Sequence, residues 1–584
     1  MLIAEKLTKS FVQAVQFYRS GQRTAAERRC REILARAPSH VQALHLLGTI
    51  LLETERAAEA VTPLARAVTV QPNDAALRYL LGATYLQLDR FADAADCLEA
   101  ALALKPAFAE AQCGLGVALA GQGRSDDAAT AFRAALRLDP NMPQAHDNLA
   151  SLLAAAGQTP QAIGHYRDVL RIEPGNAVAH HKLGLALRAD GACDEAVRHF
   201  REAVRLQPSY SEARSSIGVT LAMNQRWAEA LVQFEDALRA EPDSVEAHYN
   251  LGSALLLNGR LEAGWSQFEW RWRLAGMQPY RRPFPQPQWR GEDLAGRTIM
   301  LHDEQGFGDT LQFCRYAPLV ARRGAKIFLE VHAELVPLLR LSFAGEAITI
   351  LPRSPAFPGI DGLPACDFHS PLLSLPGVFQ TGLQTIPAAI PYLRADPDKV
   401  RNWLDRLAAL PRPRVGLVWA GRSTHAEDAQ RSIALAQLAP LTGIPGISLL
   451  SLQKGEAGAQ LATPPPGLVL HDFTGQLPDF IDTAAFLGAL DLVITVDTAM
   501  AHLSGGLGKA VWLLNRCIPD WRWLLERDDS PWYPTMRQFR QSQPGDWDSV
   551  VARVAAALAV FAQTEADQPI RASIDSGGAA NRAL

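Results

Sequence analysis

Glycine-rich turns that carry an acidic side chain occur where short apolar runs end in the second half of the chain. The first is HDEQGFGDT, in which Asp309 follows two glycines. Such a turn lets the backbone bend tightly and leaves free amides at the start of the next helix. Asp309 could therefore act as a general base in a cleft, or as an N-cap whose oxygen binds the helix amides. Spacing alone leaves both interpretations open.

Basic side chains follow two later apolar runs. Arg431 lies beyond the turn after RVGLVWA, and Lys454 comes directly after ISLLSLQ, beside a glycine. Arginine presents a planar fork to phosphate oxygens and lysine a compact charge, so both residues are candidates for phosphate binding. Both are also compatible with ordinary solvated side chains on the protein surface.

A third kind of turn, at the end of LVITVD, carries Asp497, Thr498 and His502. Thr498 could cap a helix whose first amides, those of Ala499 and Met500, would form a cradle for a diphosphate. Asp497 would repel phosphate, so we expect it to accept hydrogen bonds from sugar hydroxyls. The structural alternative is a helix cap with His502 packed beneath it.

Seven β-rich runs position these turns, and helical stretches separate them. Short buried runs joined by helices are typical of parallel strands, and the two groups of runs predict two separate sheets. In such sheets ligands bind outside the carboxyl ends of the strands, which is where the turns lie. The runs are TIMLH, KIFLEV and ITILP in the first group, and RVGLVWA, ISLLSLQ, LVITVD and AVWLLN in the second.

The first half of the chain repeats every 34 residues. Small residues recur where two helices must approach closely, and proline recurs at the turn before the next helix. His146, His180 and His248 share one repeat position, which we interpret as helix packing or the lining of a groove; their spacing predicts no metal site. The recurring residues are Pro38, Pro72, Pro106, Pro140, Pro174, Pro208 and Pro242, with Gly48, Gly82, Gly116, Ala150, Gly184, Gly218 and Gly252.

This pattern resembles the tetratricopeptide repeat (TPR) family, whose 34-residue helix-turn-helix units match residues 7–278 as eight copies. Such solenoids offer a concave groove, so the resemblance implies a peptide or protein partner. The eighth copy carries Trp265, Trp270 and Trp272 in its second helix. We expect these rings to pack against the next region of the chain.

Composition divides the chain into five segments. Residues 1–278 form the predicted all-α solenoid, and four prolines mark residues 279–297 as a stiff linker. Residues 298–395 and 396–562 are the two predicted α/β lobes. The composition of residues 563–584 is typical of disorder.

Residues 298 to about 560 resemble the heptosyltransferase-like glycosyltransferases of family 9, in particular the branch in which TPR repeats precede the catalytic region. The resemblance implies a GT-B fold of two Rossmann-like lobes, with the acceptor on the first lobe and the nucleotide sugar on the second. The predicted fold is therefore multidomain, an all-α TPR solenoid followed by an α/β GT-B domain. The stretches that carry the resemblance are EQGFGDTLQF, VGLVWAGRSTH, RSIALAQLAPL, LSLQKG, DTAAFLGALDLVITVDTAMAHLSGGLGK and PDWRWLLERDDSPWYPTMRQFRQ.

The resemblance implies roles for residues of two turns, the glycine-rich turn at Asp309 and the turn at Asp497 and Thr498. Asp309 matches the base that deprotonates the acceptor hydroxyl in that family. Asp497 and Thr498 match the residues that contact the donor sugar and its diphosphate, and His502 matches a residue that supports the turn.

Further donor contacts are implied in the second lobe. Arg431 stands where the heptosyltransferases have a lysine that contacts phosphate, and Glu456 is the candidate for a contact to ribose. Arg431, Lys454 and the helix-start amides would offset the charge of the leaving diphosphate. Because these groups suffice and no DxD motif lies at a suitable position, no metal ion or other cofactor is predicted. The arginine at 431, and Ala499 in place of a common glycine, leave the donor identity open.

We therefore expect a glycosyltransferase that moves a sugar from a nucleotide sugar to an acceptor, a protein recruited by the TPR region. His302 is the substitute base if Asp309 does not fill that role. The alternative is a non-catalytic TPR scaffold with a degenerate GT-B domain. A nucleotide-sugar epimerase with a related two-lobe fold is a third interpretation, which leaves the solenoid unexplained.

Charge and apolar patterning argue against several classes of protein. Basic residues number 57 and acidic residues 61, for a formal net charge of −4, and no basic face suggests nucleic acid as a partner. No stretch is as apolar as a secretory signal or a membrane span, so we expect a cytoplasmic protein. The seven cysteines are scattered and never spaced CxxC, which suggests neither a disulfide framework nor a zinc site.

Overall fold

The structure is a computed structural model, which describes residues 2–354, 357–424 and 428–566. The chain forms two compact units, one ending at Thr220 and the other beginning at Leu221. Among the helices of the described residues, none combines the length and the apolar content that crossing a membrane requires.

The first unit is all helical. From α3 to α12, helices of 13 and 14 residues alternate, and consecutive helices pack against each other. The helices are α1 Leu2–Arg19, α2 Arg23–Arg36, α3 Val41–Glu53, α4 Ala57–Val70, α5 Ala75–Gln87, α6 Phe91–Leu104, α7 Ala109–Gly121, α8 Ser125–Leu138, α9 Pro143–Ala155, α10 Thr159–Ile172, α11 Ala177–Ala189, α12 Cys193–Leu206 and α13 Ser211–Met223, the last of which extends past Thr220. The predicted all-α repeat region is confirmed.

The recurring small residues lie where the helices of a repeat touch. Gly116 faces the ring of Phe132, and a Cβ at this glycine would lie 2.6 Å from the ring. Ala128, which occupies another recurring small position, is fully buried. Some helix starts are capped by a side chain, as at Asp74, whose carboxylate accepts from the amides of Ala76 and Leu77. The 34-residue period therefore reflects helix spacing that only small side chains permit.

The second unit begins with three more repeat-like helices, which share a core with the sheets. Trp265 donates to the carbonyl oxygen of Thr381 at 2.7 Å and lies edge-on to Trp521, with ring centroids 5.4 Å apart. The expectation that the aromatics of the eighth repeat pack against the next region of the chain is confirmed for Trp265. The helices are α14 Trp227–Ala240, α15 Val245–Leu257 and α16 Leu261–Phe268, followed by 3-10 turns at Glu269–Arg273 and Ala275–Tyr280.

The segment predicted to be a stiff linker, residues 279–297, belongs to the first lobe. Arg282 and Trp289 are buried, and Gln288 forms a parallel β-bridge with His369. The prolines do prevent a helix here, but the residues between them reach into the core. The segment is part of the lobe rather than a spacer.

The first lobe contains a parallel sheet of four strands in the order β3-β2-β1-β4. Its strands are β1 Thr298–His302, β2 Lys326–Val331, β3 Ile348–Pro352 and β4 Phe368–Pro371. Its helices are α17 Phe307–Phe313, α18 Ala317–Ala321, α19 Val336–Ser342 and α20 Leu375–Val378, with 3-10 turns at Cys314–Tyr316, Ala333–Leu335 and Leu372–Ser374. The helical stretch between β1 and β2 thus consists of two short helices joined by a 3-10 turn.

The second lobe contains a parallel sheet of six strands in the order β10-β9-β8-β5-β6-β7. The strands are β5 Arg414–Val418, β6 Ser448–Ser451, β7 Leu470–Asp472, β8 Leu492–Val496, β9 Val511–Asn515 and β10 Met536–Arg540. The helices are α21 Pro397–Arg406, α22 Asp428–Arg431, α23 Phe480–Gly488, α24 Ala499–Gly506 and α25 Trp547–Ala566, with 3-10 turns at Leu435–Leu441, Glu456–Ala462, Thr474–Gln476 and Trp521–Trp523.

The strand order of each sheet indicates where a ligand would bind. Counted within its own lobe, the second sheet has the order 3-2-1-4-5-6 when read from β7, and the first sheet has the order 3-2-1-4. The order reverses between the first and fourth strands, and in doubly wound sheets the crevice for a ligand lies outside the carboxyl ends at that reversal. The prediction of two separate parallel sheets is confirmed.

The C-terminal tail was predicted to be disordered over residues 563–584. Helix α25 continues to Ala566, so the first four of these residues are helical. The remainder, residues 567–584, lies outside the described residues.

Candidate functional site

An open cleft of about 1600 Å³ lies between the two lobes. Its walls include the turns that follow β1, β2 and β3 in the first lobe and β5, β6, β8 and β9 in the second, so the carboxyl ends of both sheets face it. The structure brings all seven predicted site residues to this cleft. They are Asp309, Arg431, Lys454, Glu456, Asp497, Thr498 and His502.

Asp309 is the third residue of α17 and is held by two groups. One carboxylate oxygen accepts from the Gly306 amide at 3.3 Å, and the other is ion-paired with Arg522. Gly306, not Asp309, is the N-cap of α17. The predicted N-cap role of Asp309 is therefore not observed, and its carboxylate instead accepts from the backbone amide of the N-cap residue. Burial raises the pKa of Asp309, while Arg522 lowers it. Asp309 thus presents a partly buried carboxylate in the first turn of α17.

Arg522 is a further cation at the cleft, and the sequence alone did not identify it. It follows β9 in the 3-10 turn Trp521–Trp523, is 10% exposed, and pairs with both Asp309 and Asp520. Asp520 also caps that turn by accepting from the Arg522 amide at 3.0 Å. The only signal in the sequence was the charged pair inside DWRW, where flanking tryptophans indicate burial.

His502 braces the glycine turn of the opposite lobe. Its Nδ1 lies 2.9 Å from the Tyr533 hydroxyl, and its ring stacks on Trp523. A Cβ at Gly308 would lie 3.0 Å from Cδ2 of His502, so the second glycine of GFGD leaves room for this ring. Burial lowers the pKa of His502 well below its usual value, which keeps the ring neutral. The contact aligns α17 with α24 across the cleft.

The Asp497–Thr498 turn forms the start of α24. Thr498 is the N-cap, and its hydroxyl accepts from the Met500 amide at 3.3 Å. Of the two amides in the predicted anion cradle, that of Met500 is therefore engaged by the cap. Burial, and then the charge of Asp520, raise the pKa of Asp497 to about 6. Asp497 thus holds a proton more readily than an ordinary aspartate.

The three remaining predicted residues have partners in the second lobe. The Arg431 Nε donates to Asp428 at 3.2 Å, and the guanidinium lies over the backbone of Gly421. Lys454 is exposed and donates to the carbonyl oxygen of Leu477. The Glu456 carboxylate accepts from Ser423 at 2.7 Å. Since an arginine has five N–H donors and a lysine three, these contacts leave donors for a ligand.

Gln453 was not predicted, and its role depends on contacts that the sequence does not reveal. The side chain is buried, and its Oε1 accepts from the amides of Trp419 and Ala420 at 2.9 Å. Its Nε2 donates back to the carbonyl oxygen of Ala420 at 3.1 Å. Gln453 therefore fixes the end of β5 against the end of β6.

The substitute base proposed for Asp309 does not reach the cleft. His302 is buried, its Nε2 lies 3.3 Å from Nδ1 of His369, and Phe284 packs on its ring. Burial lowers the pKa of His302 well below its usual value. The role of substitute base suggested for His302 is therefore wrong.

Models of known protein families match the first half of the chain. Models of the tetratricopeptide repeat match residues 79–143, 118–177, 181–235 and 224–265, and a model of anaphase-promoting complex, cyclosome, subunit 3 matches residues 19–101. The crystal structure of YrrB, described as a TPR protein with an unusual peptide-binding site, has 22% identity and a TM-score of 0.29, covering 32% of this chain and 95% of that one. Pseudomonas aeruginosa pilF has 19% identity and a TM-score of 0.32, covering 35% and 93%.

One curated relative extends the comparison. Protein FlbA from Caulobacter vibrioides is 30% identical over 319 residues, which are 51% of this chain and 52% of that protein. The chain thus spans about half the length of the curated relative it matches, and the name of that relative states no activity. The family-model matches confirm tetratricopeptide repeats within residues 79–265 of this chain, a fold that suggests peptide or protein partners.

Proposed function

We propose that residues 298–566 form a GT-B glycosyltransferase, which transfers a sugar from a nucleotide sugar to an acceptor hydroxyl with inversion. One observation carries the proposal: side chains from separate turns, predicted from sequence, line one cleft between the carboxyl ends of two doubly wound sheets. That is the position at which sheets of this order bind ligands. The donor would occupy the second lobe and the acceptor the first.

Asp309 is the base in this proposal. It would take the proton of the acceptor hydroxyl as the oxygen attacks the anomeric carbon, and the bond from that carbon to the diphosphate would break. Burial favours the protonated form and thereby makes the carboxylate a stronger base than a surface aspartate. Arg522, paired with Asp309, would hold the carboxylate in place and stabilise its charged form.

The second lobe would stabilise the departing nucleoside diphosphate. Arg431 and Lys454 line the cleft and retain N–H donors, and the start of α24 adds the positive end of a helix dipole. Asp497 and Glu456 would accept hydrogen bonds from sugar and ribose hydroxyls. These groups supply the charge compensation without calling on a metal ion or another cofactor.

The TPR region would recruit a protein acceptor. Because α14, α15 and α16 belong to the same compact unit as the sheets, the informative truncation begins at Asn224 rather than after residue 278. We expect the truncated chain to hydrolyse donor at the full rate and to lose transfer to protein. Full transfer by the truncated chain would show that the repeats do not deliver the acceptor.

The test of the enzyme is binding and turnover of nucleotide sugars by the full chain. Calorimetry with UDP, GDP, ADP and dTDP sugars identifies the donor, and released nucleotide measures turnover. We expect Asp309→Asn to reduce turnover about 10²- to 10⁴-fold, the usual contribution of a general base, with nucleotide affinity nearly unchanged. Asp405→Asn, at an exposed carboxylate outside the cleft, is the matched control. Full turnover by Asp309→Asn would remove Asp309 from the base role.

A non-catalytic TPR scaffold is the second candidate. It is favoured by the pairing of Asp309, both of whose oxygens are already engaged, by Gly306 and by Arg522. In a scaffold these contacts would be purely structural. The calorimetric panel separates the two candidates, because a scaffold with a degenerate domain would bind none of the nucleotides at millimolar concentration.

A further inference from the structure

Two histidines from neighbouring helices of the repeat region point their ring nitrogens at each other. His146 lies on α9 and His165 on α10, and their Nδ1 atoms are 3.0 Å apart. The Asp168 Oδ2 lies 3.8 Å from the same His146 nitrogen. One ligand atom from each of the three residues lies within 4.8 Å of the other two. His165 and Asp168 are three residues apart on one helix face, and His146 completes the group from across the repeat.

The hydrogen bonds around His146 fix which of its nitrogens carries a proton. Its Nε2 lies 3.1 Å from the carbonyl oxygen of Pro140, which can only accept, so Nε2 carries the hydrogen. The Nδ1 of His146 therefore presents a lone pair toward His165. Metal-binding histidines usually donate their other ring nitrogen to a carbonyl or carboxylate in this way.

The carboxylate is also placed to take part. The Asp168 Oδ1 accepts from the Arg171 Nε at a long 3.4 Å, which leaves Oδ2 directed at the histidine pair. His146 is buried, whereas Asp168 is exposed enough for an ion to enter from solvent. Two imidazoles and one carboxylate, with a position open to water, form a common ligand set for zinc.

We propose that His146, His165 and Asp168 bind a divalent transition-metal ion of the Zn²⁺ class. In the structure a single proton on His165 can bridge the two nitrogens; a metal ion in its place would engage both lone pairs and the carboxylate. Tetrahedral zinc with bonds of about 2.0–2.1 Å separates its nitrogen ligands by about 3.4 Å, so the rings need to move apart by only a few tenths of an ångström. Imidazole and carboxylate together favour zinc over Mg²⁺, which takes oxygen ligands.

The next repeat shows why the site is strongest at this place. His180 and His199 repeat the pair at 2.9 Å, and the Nε2 of His180 lies 3.2 Å from the carbonyl oxygen of Pro174. At the position of Asp168, however, Glu202 is held by Arg205 through two bonds of 2.8 and 2.6 Å. That carboxylate is already neutralised, so we expect this second pair to bind metal more weakly.

A third repeat supplies the control for a test. His248 occupies the position of His146, and Gln267, nineteen residues later, occupies that of His165 and bonds to the ring. The chain thus tolerates glutamine at this position with the interhelical bond retained. His165→Gln should therefore remove a strong metal ligand and keep the packing. The shared spacing of His146, His180 and His248 concealed the site, because their partners lie nineteen residues away in the following helix.

The experiment is a Zn²⁺ titration of the full chain, prepared without a histidine tag. We expect Zn²⁺ to bind, Mg²⁺ not to compete, and Co²⁺ to give the visible absorption of a four-coordinate site. His165→Gln should weaken the tightest Zn²⁺ binding at least about tenfold, a loss typical of a damaged metal site. His45→Gln, at an exposed histidine elsewhere in the repeats, should bind like the unmodified chain.

Thermal unfolding provides an independent readout. Without metal, the unmodified chain and His165→Gln should unfold at the same temperature, and Zn²⁺ should raise the midpoint of the unmodified chain more than that of His165→Gln, which retains only the weaker pair. If His165→Gln is unstable, Asp168→Asn replaces it, because that carboxylate lies at the protein surface. Zn²⁺ affinity that is unaltered in these variants, or the absence of Zn²⁺ binding to the unmodified chain, would overturn the proposal.

Discussion

The repeats and the sheet region differ in the sequence separation between polar side chains that bond to each other. In the repeats the distance is about half a repeat or one repeat, as in His146 with His165, 19 residues apart, and Lys182 with Asp147, 35 residues apart. In the sheet region Asp309 pairs with Arg522 from 213 residues away. Partners in the repeats are therefore set by a local rule, whereas those at the cleft depend on the complete fold of both lobes.

The two regions also differ in the burial of their ion pairs. Arg124 and Asp127 form a typical repeat pair, with side chains 53% and 57% exposed. Arg271 and Glu304, which pair beside the first sheet, are 1% and 0% exposed. Exposed pairs contribute little, but breaking a buried pair leaves an uncompensated charge in the core. The comparison predicts that single charge removals should be harmless in the repeats and severe near the sheets.

The largest effect is therefore expected from Arg271→Met. The substitution leaves Glu304 buried without its cation and should lower the free energy of unfolding by about 3–5 kcal/mol. Burial already raises the pKa of Glu304 to about 7 with Arg271 present. Urea unfolding followed by tryptophan fluorescence measures the loss, since all twelve tryptophans follow residue 226.

Two further variants make this test specific. Arg124→Met removes the cation of the exposed repeat pair and should leave the unfolding of the repeats nearly unchanged, as followed by circular dichroism, because no tryptophan precedes residue 227. Adding Glu304→Gln to Arg271→Met removes the unpaired charge and should restore much of the stability. Equal losses for Arg271→Met and Arg124→Met would show that burial does not distinguish the two regions.

The same contrast explains what the sequence could predict. The helices of the repeats could be predicted because the same helix spacing recurs in every 34-residue unit. In the sheets, the seven apolar runs became strands, but β4, β7 and β10 were missed. All three lie at sheet edges, and their sequences, FHSP, LHD and MRQFR, include polar side chains that a central strand with two covered faces would exclude.

At the cleft the turns were predictable and the partners were not. A strand end followed by glycine and an acidic residue identified Asp309, because local geometry alone makes such a turn distinctive. Nothing near Asp309 in sequence indicates Arg522 or the ring of His502, since both come from the other lobe. The Pro-rich segment was misjudged for a similar reason: prolines report the absence of a helix, not whether Trp289 between them is buried.

A smaller effect should separate two glycines of the repeats. Gly116→Ala places a methyl group 2.6 Å from the Phe132 ring, and overpacking of this kind costs about 1–3 kcal/mol. Gly164→Ala, in the exposed interior of α10, meets nothing within 4 Å and should stabilise by up to about 1 kcal/mol. Circular dichroism at the helix minimum measures both midpoints.

Whether each substitution lowers or raises stability tests the explanation that the recurring glycines permit close helix approach. Ala150 stands at the repeat position of Gly116, and Tyr166 stands at that of Phe132, so one repeat already carries an alanine at this position. If Gly116→Ala were as stabilising as Gly164→Ala, close helix approach would not be the reason for the recurring glycines.

The smallest effect concerns a motif common to both regions, a histidine bonded to a tyrosine hydroxyl, which is buried at the cleft and half-buried in the repeats. His502 lies 2.9 Å from Tyr533 at the cleft, and His181 lies 3.1 Å from Tyr210 in the repeats. Burial lowers the pKa of His181 to about 4, and the charge of Arg188 adds to that lowering. The unfolded chain, with a histidine pKa of about 6.5, takes up a proton that the folded ring refuses.

This difference makes stability depend on pH in a defined window. The contribution of His181 is fully present above about pH 6.5 and is lost as the pH falls toward 4, because protonation then favours the unfolded chain. His181→Gln removes the proton uptake, so its unfolding midpoint should decline less than that of the unmodified chain between these values. At pH 7 and above the two chains should follow parallel curves. A steeper decline for His181→Gln would mean that the ring is charged in the folded repeat, and that its bonds to Ser216 and Tyr210 do not hold it neutral.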